Sequence, residues 1–157
     1  MFSGDNMKYK DLLFPIEQLI NNETRVLALL GNVSAFLFEY IENLNWVGFY
    51  LNDNNTLYLG PFQGKVACSI IEYGNGVCGT ALKTIETIVV PNVHEYDNHI
   101  ACDSASNSEV VIPIIVNNNV YGVLDVDSPL LNRFDDALVQ FLKKVVNLVE
   151  TKLATIL

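Results

Sequence analysis

The runs VVIPIIV (residues 110–116) and YGVLDVD (121–127) flank Asn117-Asn118-Asn119, and a pair of apolar runs around an Asn cluster predicts a β-hairpin. NWVGFYL (45–51) and TLYLGPF (56–62) repeat the pattern around the turn NDNN at 52–55. Both hairpins lie between segments of a different period. Residues 5–20 and 22–42 carry apolar positions at helical spacing, with Asn21-Asn22 as the break, and Phe134–Leu157 does so again. Helices at both ends of a largely antiparallel sheet predict an α+β sandwich. With 157 residues, half of them hydrophobic, and neither repeat nor linker, residues 1–157 are expected to form one domain.

Charge narrows the functions open to such a fold. The net charge is −9, with nine Lys and Arg and no basic run. A nucleic-acid partner or an anionic membrane surface would lack its electrostatic footing. The N-terminus has no apolar signal core and no apolar run is long enough to span a bilayer, so the expected location is the cytoplasm. Three cysteines without a CxxC pair do not read as a secreted disulfide framework. They are buried hydrophobes, metal ligands or reactive thiols.

Strand alternation gives a sharper expectation. Trp46, Gly48 and Tyr50 should share one face of their strand, opposite Val47, Phe49 and Leu51. Tyr121, Val123, Asp125 and Asp127 should share a face of theirs, opposite Gly122, Leu124 and Val126. If the strands meet, a pocket with aromatic walls and an acidic floor results. An exposed acidic pair at a strand end and a divalent-cation site on two aspartates are the other readings.

Of the cysteines, Cys102 in HIACD stands between a His-containing loop and a Ser/Asn-rich one, and Cys78 sits in YGNGVCG. The glycines around Cys78 place it near a loop or helix start, where a helix N-terminus would lower its pKa. The spacing Gly74, Gly76, Gly79 is weak as a nucleotide motif, having no preceding strand of the right character and no P-loop Lys-Ser/Thr. Zinc held by the cysteines with His94 or His99 would use wide spacings and no tight pair. The histidines read more naturally as loop or capping residues.

Taken together, NWVGFYL, LGPFQGKVACSII, GNGVCGTA, HIACDSASNSEVVIPI and YGVLDVDSP resemble the free methionine-(R)-sulfoxide reductases, which are single GAF-domain proteins. The match runs in register from about residue 45 to 130. It implies a six-stranded antiparallel sheet with flanking helices, a homodimer, and reduction of the free amino acid with electrons from thioredoxin and without cofactor or metal. By motif, Cys102 resembles the attacking cysteine, Cys68 the resolving one and Cys78 an auxiliary one. Glu109, Asp125 and Asp127 resemble the acidic part of the substrate pocket, and Trp46 and Tyr50 its aromatic part. One departure is Asn98, where the family usually has Gly before HIACD; Asn tolerates left-handed backbone better than most residues.

The implied chemistry needs these residue types. A thiolate attacks the sulfoxide sulfur, and the oxygen leaves only if protonated, so nucleophile and acid must stand together. Crowded carboxylates cannot all ionise cheaply, and Glu109 or Asp127 would hold the proton. Two other classes compete with an oxidative-stress enzyme: a GAF ligand-sensing module, which leaves three cysteines without a role, and a thiol redox sensor. The chain shows no output domain for either.

Overall fold

In the computed structural model, which describes residues 4–100, 102 and 104–157, six strands form one antiparallel sheet. They are β1 (Trp46–Asp53), β2 (Thr56–Gly64), β3 (Ile70–Glu72), β4 (Ile88–Val90), β5 (Ser108–Val116) and β6 (Asn119–Ser128), in the order β3-β2-β1-β6-β5-β4. The helices are α1 (Gly4–Asn21), α2 (Val26–Tyr40), α3 (Gly76–Thr84) and α4 (Asp136–Ile156). Ala101 and Asp103 of the HIACD motif lie outside the described residues.

Local chemistry explains where the elements stop. Asn54 and Asn55, and again Asn117 and Asn118, have positive φ between 50° and 65°. Those are the two central residues of tight hairpins, where Asn is tolerated better than any β-branched residue. The second helix starts at Val26 rather than at 22, because the Glu23 carboxylate accepts the backbone N–H groups of Thr24 and Arg25 and holds a turn there. Asp135 caps α4 by accepting from the Leu138 N–H at 2.9 Å.

The two faces of the sheet are covered differently. Val47, Phe49, Leu124 and Val126 pack against α1, α2 and α4 in the larger core, together with Leu30, Leu37, Phe141, Leu142 and Val149. Trp46, Tyr50, Val111 and Val123 lie on the other face, under α3 and the loops that surround it. The expected alternation therefore holds along β1 and along β6 from Gly122 to Asp127.

Tyr121 is an exception. It packs with the helix-side core, not with Val123 and Asp125. The cause is a β-bulge: Ile115 pairs with Val120 but Ile114 pairs with Gly122, so Tyr121 is an extra residue and the alternation changes phase there. The bulge also sets the register beyond it. Continued from the tight turn, Glu109 would have faced Val126 in the helix-side core; after the bulge it pairs with Asp127.

Candidate active site

Cross-strand pairing builds the site on the α3 side of the sheet. Trp46, Asp127 and Glu109 form one row across β1, β6 and β5, and Gly48, Asp125 and Val111 form the next. Gly48 has a steric role here. A Cβ at that position would come within 2.6 Å of the Trp46 ring, so only Gly lets the indole lie along the strand. The ring stacks on Phe62 and Tyr50, with centroids 5.1 and 5.8 Å away. The aromatic wall and the acidic floor thus meet in one pocket, lined also by Cys78, His99, Ile100 and Cys102.

The three carboxyl groups are buried, each less than a tenth exposed. Removal from water pushes the Glu109 pKa well up, and the neighbouring Asp125 and Asp127 push it further. Burial raises Asp125 to about 6, and hydrogen bonds from Glu109 and Cys78 partly offset this by favouring its charged form. Both shifts favour the protonated forms, and Asp125 accepts the hydrogen bond that Glu109 donates. Asp125 Oδ1 is buried with no hydrogen-bond partner among the described residues, which leaves one strong acceptor open to a donor.

Cys78 follows the same logic, against the expectation of a lowered pKa. It lies buried in the first turn of α3, and burial followed by the Asp125 and Glu109 charges pushes its thiol up, overriding any effect of the helix end. Its sulfur and one oxygen each of Glu109 and Asp125 lie within 4.8 Å of one another, the one metal-ligating group of this kind among the described residues. The two metal readings of the sequence are drawn otherwise. Asp127 is not in that group, and the other two cysteines are bonded to each other.

Cys68 and Cys102, 34 residues apart in sequence, form a disulfide with their α-carbons 5.5 Å apart. The aromatic wall holds the segment carrying Cys68. Trp46 Nε1 donates to the Lys65 carbonyl at 3.1 Å and Tyr50 Oη to the Cys68 carbonyl at 2.8 Å. Burial, then the Asp125 charge, raises the Tyr50 pKa, so the phenol stays a donor.

Two residues behave otherwise than the sequence led us to expect. His94 sits in a one-turn 3-10 helix, Val93–Glu95, its ring 2.7 Å from Asn107 Oδ1, but His99 faces the pocket with Nε2 3.6 Å from Glu109 Oε2. Burial and the nearby His94 lower the His99 pKa while Glu109 is raised, so both shifts oppose an ion pair at this contact. Its position three residues before Cys102 was the one signal for it. Asn98 has no left-handed backbone. Instead its side chain donates to the Gly74 carbonyl and to Thr80 Oγ1, at 2.7 and 3.2 Å.

The GAF domain family matches residues 15–153. The chain is 49% identical over 147 residues to the free methionine-R-sulfoxide reductase of Escherichia coli (strain K12), covering 94% of this chain and 89% of that protein. The Saccharomyces cerevisiae protein of the same name is 43% identical over 148 residues, covering 89% of this chain and 82% of its own length. The fold superposes on the X-ray structure of free methionine-R-sulfoxide reductase from Neisseria meningitidis in complex with its substrate, with a TM-score of 0.94, 38% identity and coverage of 99% and 94% of the two chains. The chain therefore belongs to the GAF domain family and, within it, to the free methionine-R-sulfoxide reductases.

Proposed function

We propose that the chain reduces free L-methionine-(R)-sulfoxide to L-methionine, with Cys102 as nucleophile, Glu109 as acid and Cys68 as resolving thiol. The observation that carries this reading is the Cys68–Cys102 disulfide at a pocket whose floor holds a buried, proton-retaining carboxyl group. The Cys102 thiolate attacks the sulfoxide sulfur while Glu109 protonates the oxygen. The attack joins the two sulfurs; that S–S bond and the substrate S–O bond then break as the hydroxyl passes to Cys102, so the substrate sulfur is reduced to the thioether and Cys102 is oxidised to a sulfenic acid that carries the oxygen and the proton. Cys68 then attacks the Cys102 sulfur, the oxygen leaves as water with a second proton, and the disulfide forms. The two protons are those of the two thiols. An external dithiol, thioredoxin in this proposal, supplies the two electrons that reopen the bond.

The remaining residues bind. The Trp46 and Tyr50 rings hold the methyl-thioether end, which favours aromatic contact. The unpartnered Asp125 oxygen accepts from the α-ammonium, and Asp127 completes the acidic floor. Cys78 plays an auxiliary part, its sulfur within hydrogen-bonding reach of Asp125. The enzyme acts as one catalytic domain of residues 1–157, as a homodimer, in the cytoplasm and in defence against oxidative stress. Among the described residues no helix is long and apolar enough to cross a membrane.

The test is NADPH consumption coupled through thioredoxin and its reductase, with the R and S epimers compared. Turnover of the R epimer, abolished in Cys102→Ser, is the expected result. Equal turnover by the Ser variant would end the nucleophile assignment, and loss of activity on chelation with recovery on zinc addition would replace the thiol mechanism by a metal one.

A further inference from the structure

The segment that carries Cys102 is fastened at two places. At one end Cys102 is bonded to Cys68. Four residues earlier, Asn98 Nδ2 reaches the Gly74 carbonyl at 2.7 Å and Thr80 Oγ1 at 3.2 Å. Both partners demand a donor. A carbonyl oxygen only accepts, and Thr80 directs its own hydrogen to the Gly76 carbonyl at 2.6 Å. Between the two fastenings Ile100 lies on Gly76, where an added Cβ would stand 3.1 Å from its side chain. Gly74 and Gly76 belong to the turn that leads into α3, and Gly74 N–H donates to the Gly79 carbonyl at 2.9 Å. Asn98 thus ties the Cys102 segment to the element that carries Cys78 and part of the pocket wall.

The two fastenings differ in when they exist. The disulfide is absent in the reduced enzyme, which is the form that must bind substrate and attack it. The Asn98 contacts involve no sulfur, so reduction removes none of the atoms that make them. We infer that Asn98 is a positioning residue that keeps the Cys102 segment over the pocket when the disulfide is open. A Gly at this position, as the sequence resemblance led us to expect, could make neither contact. The inference rests on the thiol mechanism proposed above. Because Asn98 is exposed, water competes for its bonds, and the expected effect is moderate, about three- to tenfold.

Asn98→Asp keeps the shape and replaces both donors by acceptors; Asn98→Gly removes the side chain. In rapid-mixing experiments with fully reduced enzyme, both should lower the second-order rate constant of methionine formation in the first turnover about three- to tenfold. Reduction of the preformed disulfide by dithiothreitol should be unchanged. Amide exchange at residues 98–100 and 102 should quicken in the reduced variants and remain near wild type in the oxidised ones, where the disulfide still holds Cys102. Unchanged first-turnover rates in both variants, or exchange quickened equally in both redox states, would overturn the inference. If the wild type forms no methionine at all, the proposed function fails, while the exchange comparison still decides whether Asn98 anchors the reduced segment.

Discussion

The two faces of the sheet bury similar strand residues for opposite ends. On the helix side the buried cluster runs from Val47 and Phe49 to Leu142 and Val149, and the buried polar residue of α2, Ser34, is neutral and donates its hydroxyl to the Leu30 carbonyl. On the α3 side, Glu109, Asp125 and Asp127 are buried beside Cys78, and two of these carboxyl groups have raised pKa values. The first face gains free energy from each methylene removed from water. The second gives up stability, because crowded carboxyl groups desolvated in the folded state would each be better hydrated in the unfolded chain. One face makes the fold and the other uses it.

The strongest way to test that contrast is a pair of substitutions, one on each face. Glu109→Gln removes the raised carboxyl but keeps its shape. It should lower kcat about 10²- to 10⁴-fold, the usual worth of a positioned acid, while raising Tm at pH 7 or above. Leu142→Ala, in the fully buried helix-side core, should do the reverse. It should cost about 2–5 kcal/mol of stability and leave kcat/KM per folded molecule within about twofold. Coupled assays and thermal melts on both proteins check this. A Glu109→Gln enzyme that is less stable and still fully active would dissolve the distinction between the faces.

Next in size is selectivity for the free amino acid. If the lone Asp125 oxygen receives the α-ammonium, the N-acetyl derivative strands a buried carboxylate. Leaving one partner of a buried charge pair alone costs about 3–5 kcal/mol, a discrimination of roughly 100- to several thousand-fold. Comparing kcat/KM for methionine-(R)-sulfoxide and its N-acetyl derivative measures it, and Asp125→Asn should compress the ratio. A ratio that survives the substitution would move ammonium recognition to Asp127 or Glu109.

Much of this division was legible in the sequence, because it follows from a period of two. Once β1 and β6 are read as strands, Trp46 and Tyr50 must share a face, and so must Asp125 and Asp127. What alternation could not reveal was how Glu109 joins them. The two-residue turn at Asn117-Asn118, extended without interruption, points Glu109 at the wrong core, and the extra residue Tyr121 corrects it. No local pattern in IIVNNNVYG marks that bulge. Unbroken alternation puts Tyr121 on the wrong face for the same reason. The loop residues His99 and Asn98 were hidden differently, since their partners Glu109 and Gly74 are 10 and 24 residues away and no strand register fixes the distance. Asn98 acts through its side chain rather than through the backbone tolerance of its residue type.

The smallest expected effect separates binding from stability within one residue. Asp125 titrates at about 6 in the folded protein, against about 3.9 in an unfolded chain. Ammonium recognition needs the charged form, so KM for free methionine-(R)-sulfoxide should rise about tenfold as pH falls from about 7 to about 5. The N-acetyl derivative, which has no ammonium, should show no such rise. Stability must move the other way. The folded state holds its proton to higher pH than the unfolded one, so the group's contribution is greatest at low pH and declines as pH rises from about 4 through 6. Between about pH 5 and 7 the stability of the wild type, referenced to Asp125→Asn, should fall by about 1 kcal/mol. Substrate kinetics and denaturant melts at the two pH values supply both numbers. A KM that stays flat while the stability difference shifts would leave Asp125 as a buried acid with no part in recognition. If KM rises but the stability difference does not, the substrate is answering to a carboxylate other than Asp125.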